Sequence, residues 1–543
     1  MEASQINREI QKVRETLSDI QEELDKVNSP EDLRKIFPNM QKEMDNIQEV
    51  IKQTGNGSAR VRARQGERVR LAERGVTTNV LAWEDDPGSP EGQAPTPVSE
   101  PMPQLDTPPL AIEIVEEASD PSPDPDTQGF RYWSAAVALR RAADYWSRII
   151  GNTAKWEQEV GATLSVRLDA GVDLNAYYSR EEHGLSFFHA KVGGRIIYSG
   201  SSPDVICHEL GHAVLDGLRP QLYNAASDEI AAFHESFGDI SAMLSALQLQ
   251  TFREKVLVET DGDMHCSSRL SRLAEQLGWA LRRRRPDSAY PDCLRNAVNS
   301  LFYLDPVTLP PRGPVFTLTS EPHSFSRVFT GAFYDVLAGM VSLLSPSPEN
   351  TTEKQLLQVS EEIGRLLVKG VLAAPVVPDY YSQVAAHMIE ADTSGQYREV
   401  LINSFTRYGI LSLESANMLV SGIRPQLAAA QPPSARETSE ELPKIALQGA
   451  DYGLRNQTLL VQIPRDVKRL PVTSAIPEPG AVLTPSGEKA AQSFVNDLFR
   501  RGRVEVMGQA NGLLSMTGHT QRTKTHRLQQ TSEGLELRRI MFD

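Results

Sequence analysis

Cysteine is scarce: Cys207, Cys266 and Cys293 are the only three in 543 residues, too few for a disulfide framework. No apolar run reaches the roughly 20 residues that a membrane helix needs. The opening Met1-Glu2-Ala3-Ser4-Gln5-Ile6 has no signal-peptide core. The expectation is a cytoplasmic protein without a membrane span, with leaderless secretion as the other route. Positive charge is also in deficit, and a net charge of −15 argues against general affinity for nucleic acid. Hydrophobic residues are not short: at 40% they supply a sizeable core, and the length leaves room for about two to four domains.

What the chain does carry is Ile206-Cys207-His208-Glu209-Leu210-Gly211-His212. Helical positions i and i+4 share a face. His208 and His212 therefore present two imidazoles to one zinc ion, and Glu209 projects toward a metal-bound water. Val205, Leu210, Ala213 and Val214 continue an apolar pattern that seats this helix in a core. Catalytic zinc takes three protein ligands and leaves one position open. The extended pattern H-E-x-x-H-x-x-G-x-x-H is excluded, because Leu215 and Leu218 stand where its glycine and last histidine belong. A following helix offers Glu235 and Asp239 on one face. One can ligate the metal while the other accepts a hydrogen bond from the far nitrogen of a ligand histidine. His234 points elsewhere around that helix, as a surface or supporting residue. Asp228 and Glu229 sit near its start, where a carboxylate steadies the helix dipole.

These residues resemble the thermolysin family of zinc metallopeptidases (gluzincins). His208 to Val214 is followed by Tyr223 at that family's spacing and then by the E-x-x-x-D pair Glu235 and Asp239, with a longer interval from Tyr223 to Glu235. Leu174-Asn175-Ala176-Tyr177-Tyr178 resembles the strand that holds the family's substrates. Pro322-His323-Ser324 leads into an apolar helix, as does the family's transition-state histidine, and residues 403–411 are similar to the end of its helical subdomain. The likeness covers residues 128–420, approximately. It implies an α+β fold of two subdomains, an α+β half with the zinc helix and a mainly helical half with Glu235 and His323, the active site between them.

The same resemblance implies one Zn2+ on His208, His212 and Glu235, with Asp239 behind it. Glu209 would be the general base, Tyr223 and His323 the oxyanion donors, and Asn175 and Ala176 the contacts to a protein or peptide substrate. Two features depart from the family. Leu318 stands where an aspartate orients the histidine, leaving Glu321 or a backbone carbonyl for that role. The family's substrate-carbonyl arginine has no unique counterpart among Arg269, Arg272 and the run 282–285. The reading that follows is a zinc endopeptidase. An aminopeptidase of the same chemistry and an inactive scaffold are its rivals, and the intact Glu209 counts against the second.

Elsewhere, Ile6, Ile10, Val13, Leu17, Ile20, Leu24 and Val27 form an a/d heptad seam that resumes from Leu33 to Ile51. Residues 1–54 are expected to be a helical hairpin or a coiled coil, joining a second copy or a partner helix through 4–52. Residues 55–127 combine an Arg-rich stretch with a disordered Pro/acidic linker, in which Leu110–Val115 offers a transiently docking strand. Residues 128–424 are the peptidase unit, 425–442 a second linker, and 443–543 a small α+β module. A chain starting at Gln128 is expected to fold. Glu259, Asp261 and Asp263 offer carboxylates to Ca2+ without the full loop pattern. His183 and His189 read as structural, and His265, His387, His519 and His526 lack metal-like spacing.

Overall fold

Residues 79–88, 95–421, 441–454, 457–475, 485–506 and 524–543 are described by a computed structural model. The heptad helices of 1–54 and the Arg-rich stretch to residue 78 lie outside them, as does most of the second linker.

Part of the Pro/acidic stretch is folded, which corrects its reading as a disordered linker, and the strand expected to dock only transiently at 110–115 is a fixed member of a sheet. β1 (Asn79–Ala82) pairs antiparallel with β2 (Val98–Pro101), and β3 (Ala111–Ile114) joins a larger sheet. The reason is period-two patterning: Ile112 and Ile114 are buried while Glu113 between them is exposed. The strand is also anchored from outside, since the Trp156 indole N–H donates to the Ala111 carbonyl at 2.8 Å. Arg140, on α1 (Gln128–Ile150), donates to the carbonyls of Thr107 and Leu110. A chain starting at Gln128 would lack this strand.

β4 (Thr163–Arg167), β5 (Ala176–Ser179) and β6 (Gly184–Phe187) complete a four-stranded sheet in the order β3-β4-β6-β5, with β5 at its edge and antiparallel to β6. The hairpin β7 (His189–Val192) and β8 (Arg195–Tyr198) leads to α2 (Pro203–Leu218) and α3 (Asp228–Ala246). These two helices are buried nearly all round, as helices at the centre of a core are. Helices then dominate: α4 (Gln250–Thr260), α5 (Glu275–Arg284), α6 (Pro322–Leu344), α7 (Glu353–Ala373), α8 (Tyr380–Ala391), α9 (Arg398–Arg407) and α10 (Leu413–Val420). Before α6, the two-residue strands β9 (Arg272–Leu273) and β10 (Arg295–Asn296) pair antiparallel. Among the described residues only α6 has the length and hydropathy of a membrane span, and most of it is buried.

The last segment contains β11 (Lys444–Gln448), β12 (Thr458–Gln462), α11 (Gly487–Arg501), β13 (Val504–Glu505), β14 (His526–Gln530) and β15 (Leu535–Arg539). The strands form one sheet in the order β11-β12-β15-β14-β13. It is α+β as expected, but it belongs to the same compact unit as the rest of 79–543. Ala226 and Ala231 share its apolar core, the Ala226 N–H donates to the Gln462 carbonyl, and Arg501 pairs with buried Asp228 at 3.3 Å. The architecture is mixed α+β.

Candidate metal centre

Each helix of the site starts on a designed-in cap. For α2 the Ser202 hydroxyl accepts the Val205 N–H, Pro203 fills the first turn and Asp204 faces the positive end of the dipole. For α3, Ser227 accepts the Ile230 N–H and is followed by Asp228 and Glu229. The two helices cross at Gly211 and Gly238. A Cβ on Gly211 would come within 2.7 Å of the Ser241 Cβ, and one on Gly238 would meet the His208 ring at 2.6 Å. The missing side chains let the backbones approach and bring His208 and His212 against Glu235.

The resulting cluster is tight. The nearest donor atoms of His208, His212 and Glu235 all lie within 4.8 Å of one another. Glu235 Oε2 stands 3.3 Å from His208 Nε2 and 3.8 Å from His212 Nε2. Donors about 2.1 Å from a tetrahedral ion are about 3.4 Å apart, so this group can hold a metal. Both ring nitrogens of His212 and Oε2 of Glu209 are buried without a hydrogen-bond partner, an arrangement that is costly unless something else satisfies them. Burial and the neighbouring His208 push the His212 pKa well down, which favours the neutral imidazole with one ring nitrogen free to ligate. Burial also pushes the Glu209 carboxyl up to about 8, against the opposing pull of His208.

Behind the cluster, Asp239 accepts from His208 Nδ1 at 3.0 Å, which directs Nε2 toward Glu235. Arg295, at β10, grips the same carboxylate through Nε and a terminal nitrogen, the shorter contact being 2.6 Å. Burial alone would raise the Asp239 pKa, but Arg295 and His208 hold it well below the usual carboxylate range. His323 lies in the first turn of α6, with Nε2 3.2 Å from Glu235 Oε2. Its Nδ1 meets Glu321 Oε1 at 2.9 Å while Glu321 Oε2 caps the helix at the Ser324 N–H. Glu321 is thus the carboxylate that orients the His323 ring. Burial opposes charge on His323, yet Glu235 and Glu321 raise its pKa to about 10.

Other expected residues fall differently. The Tyr223 hydroxyl does not join the cluster: it is buried and donates to the Ile540 carbonyl at 2.9 Å. Asn175 and Ala176 lie at the start of edge strand β5, just upstream of Tyr178. His234 is fully buried rather than on a helix surface, with neither nitrogen partnered. Among the candidate arginines, Arg269 pairs with Glu259 and Arg272 with Glu275. The first pairing takes a carboxylate from the acidic loop that lacks the full Ca2+ pattern, and the His208, His212 and Glu235 group is the one metal-capable cluster among the described residues. His183 and His189 make local contacts only, to the Glu159 carbonyl and Asp169.

Two functional neighbours carry no local sequence signal. Arg295 lies 56 residues from the aspartate it grips, and Phe542, in the segment after β15, covers His234 and His212. Compared with family models and with curated proteins, the chain matches none.

Proposed function

We propose that this chain is a zinc-dependent endopeptidase of the gluzincin kind, with His208, His212 and Glu235 as metal ligands. The observation that carries the reading is the convergence of those three donors from α2 and α3 within 4.8 Å of one another, with Glu209 one residue from a ligand and its Oε2 unpartnered. Zinc, when bound, supplies Lewis-acid polarisation of a scissile carbonyl and acidifies water. Glu209 accepts a proton at Oε2 and returns it to the departing amine. His323, oriented by Glu321, donates from Nε2 to the oxygen on which charge develops, a contribution of about 2–4 kcal/mol for such donors. Asp239, clamped by Arg295, keeps His208 in the tautomer that offers Nε2 outward. The edge of β5, whose Tyr178 backbone groups pair with Phe542 in this structure, is where an extended substrate would pair once that segment is displaced.

Metal analysis of the purified chain tests the ligand set. About one zinc per chain is expected, falling sharply in His208→Ala, His212→Ala and Glu235→Ala. Full occupancy in Glu235→Ala would move the third ligand elsewhere.

A further inference from the structure

Residues 540–543 lie along the site in the manner of a bound peptide. Edge strands present unpaired backbone groups that an extended segment can complete. On β5 one such pair is filled: the Tyr178 N–H donates to the Phe542 carbonyl and the Phe542 N–H to the Tyr178 carbonyl, each at 3.0 Å in antiparallel sense. That register places the Phe542 ring on the histidines of the site, 3.9 Å from the His234 centroid and 5.0 Å from that of His212, near-parallel to both. The Arg539 guanidinium lies 3.9 Å from the ring centre, and Phe542 is only 1% exposed. Upstream, the Ile540 carbonyl accepts from the Tyr223 and Ser179 hydroxyls. Downstream, Asp543 pairs with Arg503 at 2.8 Å and lines the same cavity as Glu235 and His323.

We propose that residues 540–543 are a peptide ligand bound in cis. The groove along β5 takes an extended peptide with an aromatic side chain seated against His212 and His234, and Phe542 competes with such peptides for that seat. What becomes of a bound peptide rests on the peptidase reading; its binding does not. Two observations favour this over ordinary packing. The segment uses backbone pairing on an edge strand as well as side-chain burial, and its Asp543 reaches the cavity that Glu235 and His323 line. A tethered ligand has a high effective concentration, so free peptides should bind the intact chain weakly.

The test is fluorescence anisotropy of a labelled hexapeptide, Arg-Arg-Ile-Met-Phe-Asp, copied from residues 538–543. It is titrated into the full chain carrying Glu209→Gln, so that nothing is turned over. Adding Phe542→Ala or Asp543→Arg should tighten binding about tenfold or more, and a hexapeptide with Ala in place of Phe should not bind. Asp543→Arg repels Arg503 without touching the aromatic packing, so it decides the matter if Phe542→Ala fails to fold by circular dichroism. Binding no tighter than in the parent chain, or equal binding of the Ala peptide, overturns the proposal. Metal content and Glu209-dependent hydrolysis are measured apart: a chain that binds the hexapeptide but cleaves nothing keeps the groove and loses the peptidase reading.

Discussion

Glu321 caps α6 with one carboxylate oxygen and holds His323 with the other. If His323 meets charge only as it develops, His323→Ala should lower kcat by about 10²–10³-fold with KM and zinc content nearly unchanged. An unchanged kcat would return His323 to a structural role. Glu321→Gln keeps an acceptor for the cap but removes the charge beside His323, so it should lower the imidazole pKa from its raised value, read by NMR titration. The histidines, Glu209 and the Glu235–Asp239 pair were legible in the sequence because helical spacing alone puts them on shared faces. Glu321 was legible as one of two options. Arg295 was not, because its approach to Asp239 depends on how the loops between α3 and α6 close. Phe542 was not, because the packing of the β11–β15 sheet delivers it.

At the scale of elements, the crossing of α2 and α3 sets the site. Gly238→Ala should improve helix propensity yet force the His208 ring aside, since a Cβ there stands 2.6 Å from it. The expected result is zinc affinity weakened about tenfold or more, the scale for losing ligand orientation, without loss of secondary structure. Unaltered affinity in a zinc titration would mean the ring can yield at no cost.

The head of α2 carries a second prediction. Asp204 is buried, accepts the Ala274 N–H and lies near Asp86 and Asp85, so burial first and those neighbours next raise its pKa well above the ordinary 3.8. Its folded form then binds more protons than its unfolded form, and stability falls as pH rises from about 4 toward that raised pKa. Asp204→Asn should flatten this slope in urea denaturation at pH 5 and pH 8, whereas an identical slope would show the carboxyl is ionised throughout. Strand β3 marks the limit of composition as a guide. Prolines and acids around it read as linker, so the short Leu110–Val115 pattern reads as a transiently docking strand where a fixed one stands. A chain starting at Asn79 should accordingly be more stable than one starting at Gln128, a comparison that thermal melting makes directly.

On the scale of the whole molecule, mixed α+β architecture was legible from the succession of strand and helix patterns. The integration of residues 443–543 was not. Pro- and Ser-rich sequence before them has the look of a tether, whereas their contacts are set by tertiary features such as the Arg501–Asp228 pair and the apolar core shared with Ala226 and Ala231. The consequence is a site built from the middle of the chain and completed by the segment after β15, with Glu209 at its centre and Phe542 over it. Hydrolysis of a mixed peptide pool, followed by mass spectrometry, is the most direct measurement on that site. It compares the zinc-loaded Asp543→Arg chain with the same chain carrying Glu209→Gln. Internal cleavage in the first and its near-complete loss in the second, at equal zinc content, is the expected result. Equal cleavage in both, or none in either with zinc bound, would contradict a metallopeptidase that uses Glu209 as its base.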